Sequence, residues 1–217
     1  MSENKGIELI NSIASNELSS GMRNLGEVAL DTILQEGILR DIPVLNTIVS
    51  FYKAGVEIHH QLFLTKIINF LKELSNTPLE KREKFVEEIK RNPTQEREFE
   101  KTLLLLIDRA DSLQKPSILG KLLKHHILGN ISYEDATRLS YMVDRVYISD
   151  LSYLLNFNSG VQRNQIIAAS LQSIGLLSFA GIDGGTLGEE TSSGGVSYEL
   201  NEYASMLLRY GLEDTIP

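Results

Sequence analysis

The chain has no cysteine. Disulfides, thiolate nucleophiles and cysteine-held zinc or iron–sulfur centres are therefore excluded, and a reducing compartment fits the absence. Long apolar runs are missing as well, since nothing approaches the roughly 20 uninterrupted apolar residues of a spanning helix. The opening "MSENKGIELI" has no basic segment leading into an apolar one, so no secretory signal is expected. The expected location is the cytoplasm, with peripheral association at a membrane as the alternative. Neither G-x-S-x-G nor H-E-x-x-H occurs. No catalytic residue, metal or cofactor is assigned.

Positive charge is scarce in one region. Residues 1–50 carry three Lys/Arg against seven Asp/Glu, and residues 51–130 carry fourteen against eleven. Residues 131–217 carry four against eleven, a net of −7, and Lys124 is the last lysine. Chemistry changes near Gly129-Asn130. We divide the chain there, into a helical domain over 1–130 and a second module over 131–217.

The pattern predicts a mainly α protein. "GMRNLGEVALDTILQEGIL" reads as a helix stopped near Gly37, and Asp41 with Pro43 as the start of the next. From Val44 to Leu74 the sequence is apolar on most sides, which suits the centre of a core. Ile48, Val49 and Phe51 are its candidate core residues, or membrane-contacting residues if that helix is sheltered until triggered. The membrane alternative is the less favoured, because Lys53, Glu57 and Lys66 interrupt the run. Thr77, Pro78 and Glu80 have the spacing of a capping box opening a surface helix. The run Leu103–Ile107 is expected inside, and Gly129 closes a helix that begins near Lys115.

After residue 130 come three short helices, with Gly175 stopping the third, then two strands, "LLSFAGI" and "VSYEL". Asn201 caps a last helix. That order is the order of a winged-helix-like module with one β-hairpin. The segment between the strands, Asp183–Gly195, is rich in Gly, Ser and Thr and is expected to be a mobile wing tip. It is not a phosphate loop, since it leads into a strand, lacks lysine and carries Asp183, Glu189 and Glu190.

A winged helix suggests DNA, and the charges oppose it. The third helix, read as Val161–Ile174, holds only Arg163 as a basic residue, and the wing holds none. A protein partner or self-association is the expected use. Arg163, Gln165, Asp183, Glu189 and Glu190 are the candidate interaction residues. Histidine occurs only as His59-His60 and His125-His126. Neighbours on a helix diverge by about 100°, so each pair reads as structural rather than as a metal site. Asp108 and Asp111 flank Arg109 at a helix end and are read as structural too.

The segments "SLQSIGLLSFAGI" and "SYELNEYASMLLRYG" resemble the ends of bacterial abortive-infection and phage-defence proteins, the Abi-alpha family in particular. The resemblance covers roughly 45 residues of the C-terminal third and implies a helical protein in bacterial or phage conflict. It carries over no catalytic residue. The function expected first is thus a non-enzymatic interaction or regulatory protein. A membrane-perturbing effector with a sheltered apolar helix comes second, and a DNA-binding regulator last.

Overall fold

The structure is a computed structural model, and it describes residues 2–25, 41–52, 58–184 and 194–212. It is mainly α with a C-terminal hairpin. The chain divides into two compact units, Met1–Ser132 and Tyr133–Pro217.

The first unit contains α1 (Ser2–Ile13), α2 (Glu17–Leu25), α3 (Pro43–Tyr52), α4 (Ile58–Leu74), α5 (Leu79–Lys90), α6 (Pro93–Arg109) and α7 (Gln114–Ile127). Leu9, Ile13, Ile48, Phe70, Leu74, Ile107 and Leu122 are enclosed in its core. Each such side chain contributes about 1.5–3 kcal/mol relative to leaving it in water. The apolar stretch Val44–Leu74 forms two helices, α3 and α4, rather than one. Residues 53–57 between them, and residues 26–39 of the helix expected over Gly21–Leu39, lie outside the described residues. Ile48 is 1% exposed and Val49 8%. Phe51 stands in the last turn of α3, and its side chain lies outside the described residues.

Helices α4 and α7 approach each other closely at Gly120. A Cβ on Gly120 would stand 2.5 Å from the Phe70 carbonyl oxygen and 2.9 Å from Glu73 Cβ. Only glycine lets the two backbones meet there.

Several local expectations are corrected. The N–H of Val44 donates to Ser12 Oγ on α1 at 2.9 Å, so a distant serine rather than Asp41 meets the start of α3. The Thr77 capping box does not form. Pro78 holds the N-cap position of α5 with no side-chain cap, and Thr77 Oγ1 is buried without a partner among the described residues. Thr77 is committed to the turn closing α4, where its N–H donates to the Leu74 carbonyl. The surface helix α5 buries Phe85, Val86 and Ile89, and also Arg82, which is 1% exposed. In α6 the run Leu103–Ile107 splits by helical periodicity. Leu103, Leu106 and Ile107 are buried, whereas Leu105 is 49% exposed.

The second unit contains α8 (Tyr133–Arg145), α9 (Asp150–Leu155), β1 (Gly160–Val161), α10 (Gln165–Ile174), β2 (Leu177–Asp183), β3 (Gly195–Leu200) and α11 (Glu202–Met206), which continues as a π-helical turn over Leu207–Gly211. The sheet is antiparallel in the order β1-β3-β2, with a bulge between Phe179 and Gly181. Strand β1 was not expected. It takes Val161 out of the third helix, which begins at Gln165, so Arg163 precedes that helix rather than lying on it. Gly175 ends α10 at φ +95°, and the Leu176 N–H bonds the Leu171 carbonyl at 2.9 Å. Both leucines are fully buried, as this type of helix stop favours. Asn201 caps α11 by accepting from the Ala204 N–H at 3.0 Å. Its Nδ2 donates to the Gly175 carbonyl at 2.6 Å, which ties the end of α10 to the start of α11.

Candidate functional site

Helix α8 has two faces. Ala136, Leu139 and Val143 are buried at intervals of three and four, and the opposite side carries Tyr133, Glu134, Thr137, Arg138, Tyr141 and Arg145. The outward positions fall at i, i+4 and i+8, so they form one continuous stripe rather than a scatter. With Met142 and Ile174 they line an open groove of about 560 Å³ within the second unit. Its floor is fixed by the helix stop, because the position of a Cβ on Gly175 lies 3.2 Å from Met142 Cε.

The polar groups along this groove are arranged in order. Glu134 stands at the N-terminal end and reaches Arg138 at 3.8 Å, with both side chains largely in solvent. Such a pair contributes little energy, on the order of 0–1 kcal/mol. The Arg138 guanidinium also lies 5.3 Å from the Tyr203 ring centroid, which orients it. Arg145 closes the far end, exposed and without a hydrogen bond or ion pair among the described residues. Tyr141, 42% exposed, stands between the two arginines, and Tyr133 is 38% exposed at the entrance. Aromatic and arginine side chains around an apolar floor are the residue types that dominate binding energy at protein interfaces.

Of the residues expected to act at the third helix and wing, Arg163, Gln165 and Asp183 are among the described residues. Gln165 is occupied internally, where its Nε2 donates to the carbonyls of Gln162 at 3.0 Å and Val196 at 3.2 Å. It belongs to a polar knot in which Tyr153 Oη donates to Gln162 Oε1 at 2.9 Å and Gln162 Nε2 donates to the Asn158 and Gly160 carbonyls. Burial holds the Tyr153 hydroxyl above the usual tyrosine range, against a smaller opposing pull from the backbone at Asn164. Arg163 is exposed before α10, and Asp183 is exposed at the end of β2. Glu189 and Glu190 lie outside the described residues.

Other titratable groups have structural surroundings. Arg82 donates from Nε to the Thr77 carbonyl at 3.0 Å, and from Nη1 to the carbonyls of Ile13 and Ser15 at 2.5 and 3.0 Å. Its Nη2 reaches Ser19 Oγ at 3.4 Å. Desolvation lowers its pKa, and the nearby Glu83 opposes this. His125 Nδ1 lies 2.8 Å from Asn130 Nδ2, and His126 Nδ1 lies 3.2 Å from the Ile131 carbonyl oxygen. His126 also meets Phe85 edge-on. Side chains of His59 and His60 lie outside the described residues. Asp111 pairs with the buried Lys115 at 2.9 Å, and the Asp108 carbonyl accepts from Lys66 Nζ at 2.6 Å. Among the described residues no group of three or more His, Asp or Glu could hold a metal ion.

Sequence reasoning missed the α8 groove. Its signal was available as the repeat Tyr133, Thr137, Tyr141, Arg145, but the missing piece was Ile174, which closes the groove from a different helix. No protein-family model matches the chain, no curated protein is similar to it, and no solved structure matches its fold. The resemblance to the Abi-alpha family therefore rests on the residues quoted for it.

Proposed function

We propose that the chain is a non-enzymatic interaction protein whose second unit, a winged-helix-like module, docks another protein at the α8 groove. The observation that carries this is the line of Tyr133, Arg138, Tyr141 and Arg145 over an apolar floor. The module class draws support from the helix order and the antiparallel β1-β3-β2 sheet. It departs from a helix-turn-helix in one respect. Residues 156–164 join α9 to α10 and contain β1, where that motif uses a turn of 3–4 residues.

Duplex DNA is disfavoured by α10, whose sequence QIIAASLQSI has no charged residue to meet a phosphate. The membrane alternative is disfavoured by the enclosure of Ile48 and Val49. Among the described residues no helix is long and apolar enough to cross a membrane. A setting in bacterial or phage conflict follows from the Abi-alpha resemblance, and plating phage on cells with and without the chain tests it.

The docking test uses a photo-crosslinking residue in place of Tyr141, with Leu105 on the first unit as control. A defined adduct at 141, lost on adding Arg145→Glu and absent at 105, is expected. Equal adducts at both sites, or none at 141, would remove the groove from consideration.

A further inference from the structure

We infer that the occupant of the α8 groove is an acidic amphipathic helix from another protein, with two carboxylates about seven residues apart and an apolar side chain between them. This rests on the docking reading above and adds the chemistry of the partner.

The first ground is charge. The second unit carries four Lys/Arg against eleven Asp/Glu, and two of those four, Arg138 and Arg145, line this one groove. An acidic surface with its cations concentrated in a cleft steers a locally acidic ligand to the cleft alone. The second ground is spacing. Arg138 and Arg145 are seven residues apart on α8, about 10 Å or two turns at 1.5 Å per residue. A partner helix laid along α8 presents carboxylates at the same repeat, and its residues three or four positions further on fall over Tyr141 and Met142. The third ground is the state of the two arginines. Arg138 is held by Tyr203 and Glu134, whereas Arg145 has no partner among the described residues. Arg145 is thus the open receptor and Arg138 the oriented one. Glu134 gives the groove a direction, since it repels a carboxylate at the N-terminal end of α8.

Single-stranded nucleic acid is the competing class, because tyrosines stack bases and arginines meet phosphates. The acidic unit opposes it. A polyanion brings a phosphate at every residue against eleven carboxylates, whereas an amphipathic peptide brings two charges and an apolar anchor.

The test is fluorescence anisotropy with the full chain and a labelled helical peptide of about 20 residues, beyond the length at which isolated helices are marginal. It carries Glu at two positions seven apart and Leu three and four positions after the first. A matched peptide has Lys at the two Glu positions, and a labelled oligouridine is the third probe. The acidic peptide is expected to bind at least about tenfold more tightly than the lysine peptide, because each of the two lysines replaces an attraction to an arginine with a repulsion. Arg145→Glu should reverse that preference, and Arg138→Gln should weaken the acidic peptide without reversing it. Equal binding of the two peptides, or indifference to Arg145→Glu in a variant with unchanged melting, overturns the acidic assignment. If the crosslink at 141 persists in that case, docking survives and only the partner's chemistry is wrong. Binding of oligouridine in preference to the acidic peptide, at salt near physiological, overturns both.

Discussion

The two units use the same residue types in opposite ways. In the first unit, charged side chains are drawn into the interior: Arg82, Glu100, Lys115 and Lys121 are all under a tenth exposed. Its exposed large apolar residues, Ile7, Leu62, Leu105 and Leu113, are aliphatic. Among the described residues of the second unit, only Asp150 of the acidic and basic side chains is buried to that degree. Its exposed set includes Tyr133, Tyr141, Tyr147 and Phe179, together with Ile166 at 83% and Ile182 at 78%. The first unit directs its polar chemistry inward, where hydrogen bonds to carbonyls and helix ends hold helices in place. The second keeps its core small and leaves aromatic and arginine side chains at its surface, where a ligand can reach them.

The sharpest way to break that contrast is Ile48→Asp. The side chain is 1% exposed, so the change buries a carboxylate without a partner, and a loss of about 4 kcal/mol is expected. Denaturant titration with a probe in α3 reads it. An unchanged midpoint would mean that α3 faces outward in solution, and the membrane reading would then lead. Next in size is Gly120→Ala, which drives a methyl into the Phe70 carbonyl at 2.5 Å. Backbone has to move, at a cost of about 3 kcal/mol. Thermal unfolding should show a lower midpoint, and retention of the wild-type value would place α4 and α7 further apart than the 2.5 Å approach at Gly120 allows.

Arg82→Met tests whether inward polar groups hold the first unit. It strips the donor from the Ile13, Ser15 and Thr77 carbonyls while removing a desolvated charge. The two effects oppose, and a net loss of about 2 kcal/mol is expected. Gain of stability in a denaturant titration would show that the charge costs more than its bonds return.

Tyr153→Phe is the corresponding probe of the second unit. Loss of the bond to Gln162 should cost about 1 kcal/mol. The variant should also change the alkaline limb of stability. Because burial raises the Tyr153 pKa, the folded chain keeps a proton that the unfolded chain gives up near pH 10. Its contribution is therefore complete below that range and declines as pH rises above it. Stability curves of wild type and variant should approach one another as pH rises above about 10. Parallel curves would deny Tyr153 that role. Smallest is Tyr141→Ala, which should shift the melting midpoint negligibly, by less than about 0.5 kcal/mol, since the ring is turned to solvent. A larger loss would make the ring part of the core and leave the groove without its centre.

Much of this was decided locally and could be read from the residues. The cap Asn201 and the stops Gly129 and Gly175 act over three to five neighbouring positions, so the sequence determines them. The same holds for the mainly helical class and for the charge difference between the two regions, which are matters of period and composition. Tertiary structure decided the rest. Ser12 caps a helix that starts 31 positions later only because α1 and α3 pack together. Arg82 looked like one more charge on a surface helix until the end of α1 supplied carbonyls to receive it. Thr77 had the spacing of a cap, and the turn after α4 held it elsewhere. The α8 stripe was present in sequence, but a stripe becomes a groove only when Ile174 and Met142 form its floor. Hydrogen bonds within one turn depend on neighbours that the chain itself supplies. Burial depends on which distant surface arrives, and no local pattern contains that.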